Sequence, residues 1–139
     1  VTLFITCSYI DYVGEEYLSV YGLAKYLEDQ GFTVKIESDT LITIPHDNLP
    51  LYLAIEFRGN LVYMSIKHRE DLREVLEEMR DSGEGVEEAV EEALGYLTNA
   101  SLKARLWIEQ RGLTPVFDLR RGSIEIYEIL EDVLEEAED

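Results

Sequence analysis

Between Leu51 and Ile66 the sequence LYLAIEFRGNLVYMSI alternates apolar and polar residues on either side of Gly59-Asn60, a pair suited to a two-residue hairpin turn. Counting back from that turn sets Phe57 opposite Val62, Ile55 opposite Met64 and Leu53 opposite Ile66. All six then share one side of a sheet. A slip of one residue would turn the whole set to water, so the register is tightly specified. Few folds accept such a hairpin except with its apolar side against a further layer.

The neighbouring segments extend the sheet. Phe32, Val34 and Ile36 alternate with Thr33, Lys35 and Glu37. A three-residue loop at Ser38-Asp39-Thr40 pairs Ile36 with Ile42 and Val34 with Ile44, and a two-residue turn pairs them badly. Val1–Ile10 is rich in β-branched and aromatic residues and reads as an inner strand. It lacks a basic leader and a small-residue cleavage site, so a strand is expected there in place of a signal peptide.

Helical spacing fills the rest. From about Glu15 to Gln30 the positions Tyr17, Val20, Tyr21, Ala24 and Leu27 recur with helical period, and Gly31 is a ready stop. Tyr17 and Tyr21 are expected to line the sheet-facing side, and Tyr26 falls off that stripe. In Arg69–Asp81 the stripe is Leu72, Val75, Leu76 and Met79, broken by Ser82-Gly83-Glu84-Gly85. A second helical run extends from Val86 towards Arg111, with Asn99 to Ser101 as a place where it can divide. Gly112 ends it, and Val116–Leu119 suits a short strand. Ser123 is positioned to cap a last helix carrying Ile126, Tyr127, Leu130, Val133, Leu134 and Ala137. No internal repeat or long linker interrupts residues 1–139. The expectation is one α+β domain: an antiparallel sheet of four to five strands, one face covered by helices, with an acidic C-terminal helix.

Charge narrows the partners. The chain of 139 residues carries 30 acidic and 12 basic side chains, a formal net charge of −18, which disfavours DNA, RNA and anionic membranes. Residues 69–98 and 122–139 each carry −8, whereas 99–121 carry +3. Glu84/Glu88, Glu87/Glu91 and Glu88/Glu92 are like-charge pairs one turn apart, each costing roughly 0.2–0.5 kcal/mol. Such faces keep a protein soluble or dock a basic partner. The basic island of Lys103, Arg105, Arg111, Arg120 and Arg121 is expected to pair with them, within the fold or across a dimer. Glutamate (21) far outnumbers aspartate (9), a bias compatible with a thermophile.

Motifs for chemistry are scarce. Cys7 is the single cysteine, so no intrachain disulfide forms, which suits a cytoplasmic protein. It sits in an apolar strand, where a thiol behaves as a small hydrophobe. His46 and His68 are the two histidines, each read as a surface residue at a strand end, and neither belongs to a Glu-x-x-His or HExxH pattern. Ser8 lacks a nucleophile elbow. The Ser82–Gly85 turn puts a carboxylate where a bound phosphate would need to lie. No catalytic residue, metal or cofactor is therefore expected.

From Glu15 to Asp81 the order helix, three or four antiparallel strands, helix, in a small acidic chain ending in an amphipathic acidic helix over Ser123–Asp139, resembles the type III secretion chaperone-like fold. That resemblance implies a dimeric, non-enzymatic protein holding an extended segment of a client. It rests on element order and composition, and it covers about half the chain. The strand before the first helix and the long Val86–Arg111 run depart from it. Counted with that strand, the order β-α-β4-α also looks like helix-grip and TATA-binding-protein-like folds, some of which hold ligands between sheet and helix. No functional residue carries over from either.

Two functions follow as expectations. The favoured one is an interaction or chaperone-like protein that binds itself, as a homodimer, or another protein with a basic surface. Its candidate contacts are Tyr26, Glu87, Glu91, Leu130, Val133 and Leu134. The competitor is a small-ligand binder or hydrolase with a cavity between sheet and helices, using tyrosines with His46 or His68.

Overall fold

A computed structural model describes residues 19–136. The expected strand over Val1–Ile10, with Cys7 and Ser8, lies outside the described residues, as do Tyr17 and Ala137. Helix α1 (Val20–Asp29) is followed by strands β1 (Lys35–Ile36), β2 (Leu41–Pro45), β3 (Leu51–Arg58) and β4 (Leu61–His68). Helices α2 (Leu72–Asp81) and α3 (Val86–Gln110), strand β5 (Thr114–Asp118) and helix α4 (Arg120–Glu136) complete the order. The five strands lie in the order β1-β2-β3-β4-β5. The first four pair antiparallel, and β5 pairs parallel with β4. The α2–α3 excursion is the long crossover that a parallel pair requires. The fold is thus α+β, with a sheet that is antiparallel except at its last strand. Pro115 sits in that edge strand, where a missing N–H costs no ladder bond.

The hairpin register is as the alternation requires: Phe57 faces Val62, Ile55 faces Met64 and Leu53 faces Ile66. Leu53, Ile55, Val62 and Met64 are fully buried and Ile66 nearly so. Ile36 pairs with Ile42, with Ser38-Asp39-Thr40 as the loop and the Thr40 N–H donating to Ser38 Oγ at 3.2 Å. Ile36 nonetheless stays exposed at the sheet edge, while Ile42 is buried.

On the apolar side of the sheet, α1, α3 and α4 supply the second layer. Ser19 Oγ accepts the Tyr21 N–H at 3.3 Å and caps α1. At the other end Gly31 adopts φ 98°, and the Phe32 N–H reaches the Leu27 carbonyl at 3.0 Å, closing a left-handed C-terminal motif. The buried stripe of α1 is Val20, Leu23, Ala24 and Leu27. Tyr21 is therefore not on the sheet-facing side. It is 51% exposed, because Leu23 takes the central position, and Tyr26 packs half-buried against the core.

Helix α3 is unbroken across Asn99–Ser101. Buried Ser101 satisfies its hydroxyl by donating to the Thr98 carbonyl at 2.6 Å, so a polar residue there causes no break. Helix α4 starts at Arg120, earlier than a Ser123 cap would place it. Ser123 lies inside the first turns and donates its hydroxyl to the Leu119 carbonyl at 3.0 Å.

Among the described residues, the acidic α4 is fastened to α2 by arginines of α2. Arg73 donates to Glu136 at 2.7 Å and to Asp132 at 3.0 Å, and Arg80 donates to the Val133 carbonyl at 2.6 Å. Within the basic island, Arg105 pairs with Glu109 on its own helix, Arg121 with Asp118, and the Arg111 guanidinium lies 4.5 Å from the Trp107 ring centre. Exposed pairs of this kind contribute about 0–1 kcal/mol each.

Inside the clasp, a hydrogen bond between the Glu77 and Glu136 carboxyls pushes the Glu77 pKa up and the Glu136 pKa down. The raised Glu77 stabilises the fold at low pH, a contribution lost as pH rises through its folded value. Glu136 does the opposite, losing its contribution as pH falls through its lowered value. Glu77→Gln keeps a hydrogen-bond donor and removes the like charge. It is expected to raise the melting temperature near pH ~7, with the gain shrinking towards pH ~4, where Glu77 is already protonated. Thermal melts of the two proteins across that range check the sign.

Candidate interaction surface

The open face of the sheet carries the polar half of each strand's alternation. The pairings align one row straight across it: Lys35, Thr43, Ala54, Ser65 and Asp118. The three central side chains are small. On one side stands the row Leu41, Glu56, Tyr63 and Val116, and on the other Pro45, Tyr52 and Lys67. Short residues between taller ones make a trough of about 780 Å³ that crosses the strands. At strand spacings of ~4.8 Å its floor row spans about 19 Å, with Lys35 at one end and Asp118 at the other.

Helix α4 borders the far end. Beyond Ser65 strand β5 no longer covers β4, and the first turn of α4 packs there, where Gly122 meets the Ile66 backbone. Arg121 and Glu125 thereby reach the rim. On the near wall Arg58 donates to Glu56 at 2.6 Å, and its guanidinium lies 4.3 Å from the Tyr63 ring centre, so one contact network orders all three. His68 donates from Nδ1 to the Arg69 carbonyl at 3.0 Å, and its Nε2 lies 3.9 Å from Glu125.

The electrostatics of this face differ from those of the chain. Five bases and four acids line the trough, in a protein with 12 bases and 30 acids. Its Thr43 floor is largely shielded from solvent, with 9% exposure. Hydroxyls, tyrosines and paired charges over a shallow floor suit contact with polypeptide. Among the described residues, no group of three or more His, Cys, Asp or Glu side chains is placed to hold a metal ion.

The six residues singled out by sequence fall elsewhere. Leu130 and Val133 are core residues at 3% and 0% exposure, and Leu134 is half-buried beside them, so packing within the chain already uses that side of α4. Tyr26 is half-buried against the core. Glu87 and Glu91 are exposed on the first turns of α3, and neither has an ion-pair partner among the described residues. The six do not form one surface. Thr43, Ala54 and Ser65 were not anticipated, although the Gly59-Asn60 register by itself sets Ala54 opposite Ser65.

Where a ligand between sheet and helices was the competing expectation, Trp107, Leu23, Leu27, Ile42, Ile44, Leu53 and Met64 occupy that layer as fully buried side chains. His46 and His68 are both half-exposed at strand ends. No helix among the described residues is long and apolar enough to cross a membrane. Comparisons of the chain with protein-family models, with curated proteins and with solved structures find no match.

Proposed function

We propose that the chain is a non-enzymatic interaction protein that self-associates through the open face of its sheet. The observation that carries this reading is the trough, with nearly balanced charge on a chain of net charge −18. Two copies repel unless they meet where bases and acids alternate, and this face satisfies that condition. The floor row is also self-complementary. A two-fold axis between facing sheets, running along β3, sets Lys35 of each copy against Asp118 of the partner subunit. Tyr52 and Tyr63 supply rigid aromatic area for the contact, as interface anchors commonly do. A dimer of this kind accords with the quaternary state implied by the chaperone-like resemblance.

Ala54→Arg tests the face without touching the core, since Ala54 sits on the solvent side, half-exposed. The native protein is expected to sediment at twice its 16.0 kDa mass. The variant is expected to sediment as a monomer with unchanged circular dichroism. A native monomer, or a dimer that Ala54→Arg leaves intact, overturns the reading.

A further inference from the structure

On the helical side of the sheet, α2 and α3 diverge from their Ser82–Gly85 connection and leave a cleft of about 620 Å³ against the His46–Pro50 loop. That volume falls within the ~300–1,000 Å³ of small-ligand sites. Its apolar lining is Val75 and Met79 from α2, Ala89 from α3 and Leu49 from the loop. Glu84 and Glu92 complete the wall, and neither has an ion-pair partner among the described residues. His46 Nδ1 accepts the N–H groups of Asn48 and Leu49 at 3.2 and 3.1 Å, which holds the ring against the loop. The His46 ring meets the edge of Tyr96 at 5.6 Å. The lining thus pairs an apolar floor with two carboxylates and contains no lysine or arginine.

We propose that this cleft binds an organic cation, an ammonium on an aliphatic stem, with the stem on Val75, Met79 and Ala89 and the charge between Glu84 and Glu92. A phosphate or carboxylate would meet the Glu84 carboxylate in the Ser82–Gly85 turn and is rejected. The same chemistry is offered by a free alkylamine or by a lysine side chain of a partner. The site is independent of the sheet face, so its failure leaves the sedimentation test unaffected.

The two methionines make the test internal to one spectrum. Met79 lines the cleft and Met64 is buried in the core. In methyl-labelled native protein, n-hexylamine is expected to shift the Met79 signal saturably and leave Met64 in place, while hexanoate moves neither. The Glu84→Gln/Glu92→Gln variant, shown by thermal melt to be folded, is expected to bind hexylamine about tenfold more weakly, and added salt to weaken the native protein likewise. A second titration with N-acetyl-lysine methylamide separates the sources. Saturation there assigns a lysine side chain, and response to hexylamine alone assigns a free amine. An unmoved Met79, an equal response to hexanoate, or unchanged affinity in the double variant overturns the proposal.

Discussion

Gly122→Ala is expected to loosen α4 from the sheet and to lower stability by about 3 kcal/mol, at the upper end of overpacking costs. A Cβ at this position would collide with the Ile66 carbonyl oxygen and lie 2.8 Å from its carbon. Both atoms are backbone of β4, so neither can swing aside as a side-chain tip would. The consequence extends to the trough, because Arg121 and Glu125 reach its rim only while α4 lies this close. Gly95 provides the contrast. It lies in α3 with nothing within 4 Å of a would-be Cβ, so Gly95→Ala is expected to gain about 1 kcal/mol from helix propensity. Urea denaturation of the two variants should move the midpoint in opposite directions.

Trp107→Ala is expected to cost about 3–5 kcal/mol, much of the ~5–15 kcal/mol that holds a typical domain together. Trp107 is 1% exposed, and it meets Phe57 edge-on at 6.4 Å, joining α3 to β3. Its removal leaves a hole bounded by strand and helix that cannot collapse without moving both. Trp107→Phe keeps part of the volume and should cost less. A fall in urea midpoint at constant slope is the expected readout, since the slope reports the surface exposed on unfolding.

The parts of the fold legible in sequence are those where one chemical requirement decides. The β3–β4 register follows from alternation and Gly59-Asn60, because a one-residue slip would turn fully buried residues to water and the two-residue turn fixes the pairing. The helix stops at Gly31 and Gly112 follow likewise, each glycine having a positive φ. Requirements that depend on a third element were not legible. Tyr21 and Leu23 both suit an apolar stripe on α1, and only the packed layer chooses Leu23. Leu130, Val133 and Leu134 read equally as a core or a docking stripe until α2 is in place beside them. The basic island is adjacent to acid blocks along the chain, yet Arg73 and Arg80 reach Asp132 and Glu136 first in space. The trough was hidden for a different reason. Thr43, Ala54 and Ser65 are ordinary polar-face residues singly, and their alignment needs two strand pairings at once.

A chain of net charge −18 has few ways to meet itself, and the nearly neutral sheet face is one. Zero-length carbodiimide cross-linking followed by peptide mass analysis tests that meeting most directly. Lys35 and Asp118 end opposite sides of one five-strand row, about 19 Å apart within a chain, too far for a zero-length bond. An isopeptide between them must therefore join two copies. A Lys35–Asp118 cross-link confined to the dimeric species, and lost in Ala54→Arg, is the expected result. A dimer linked through other residues, with Lys35 and Asp118 unmodified towards each other, would contradict it.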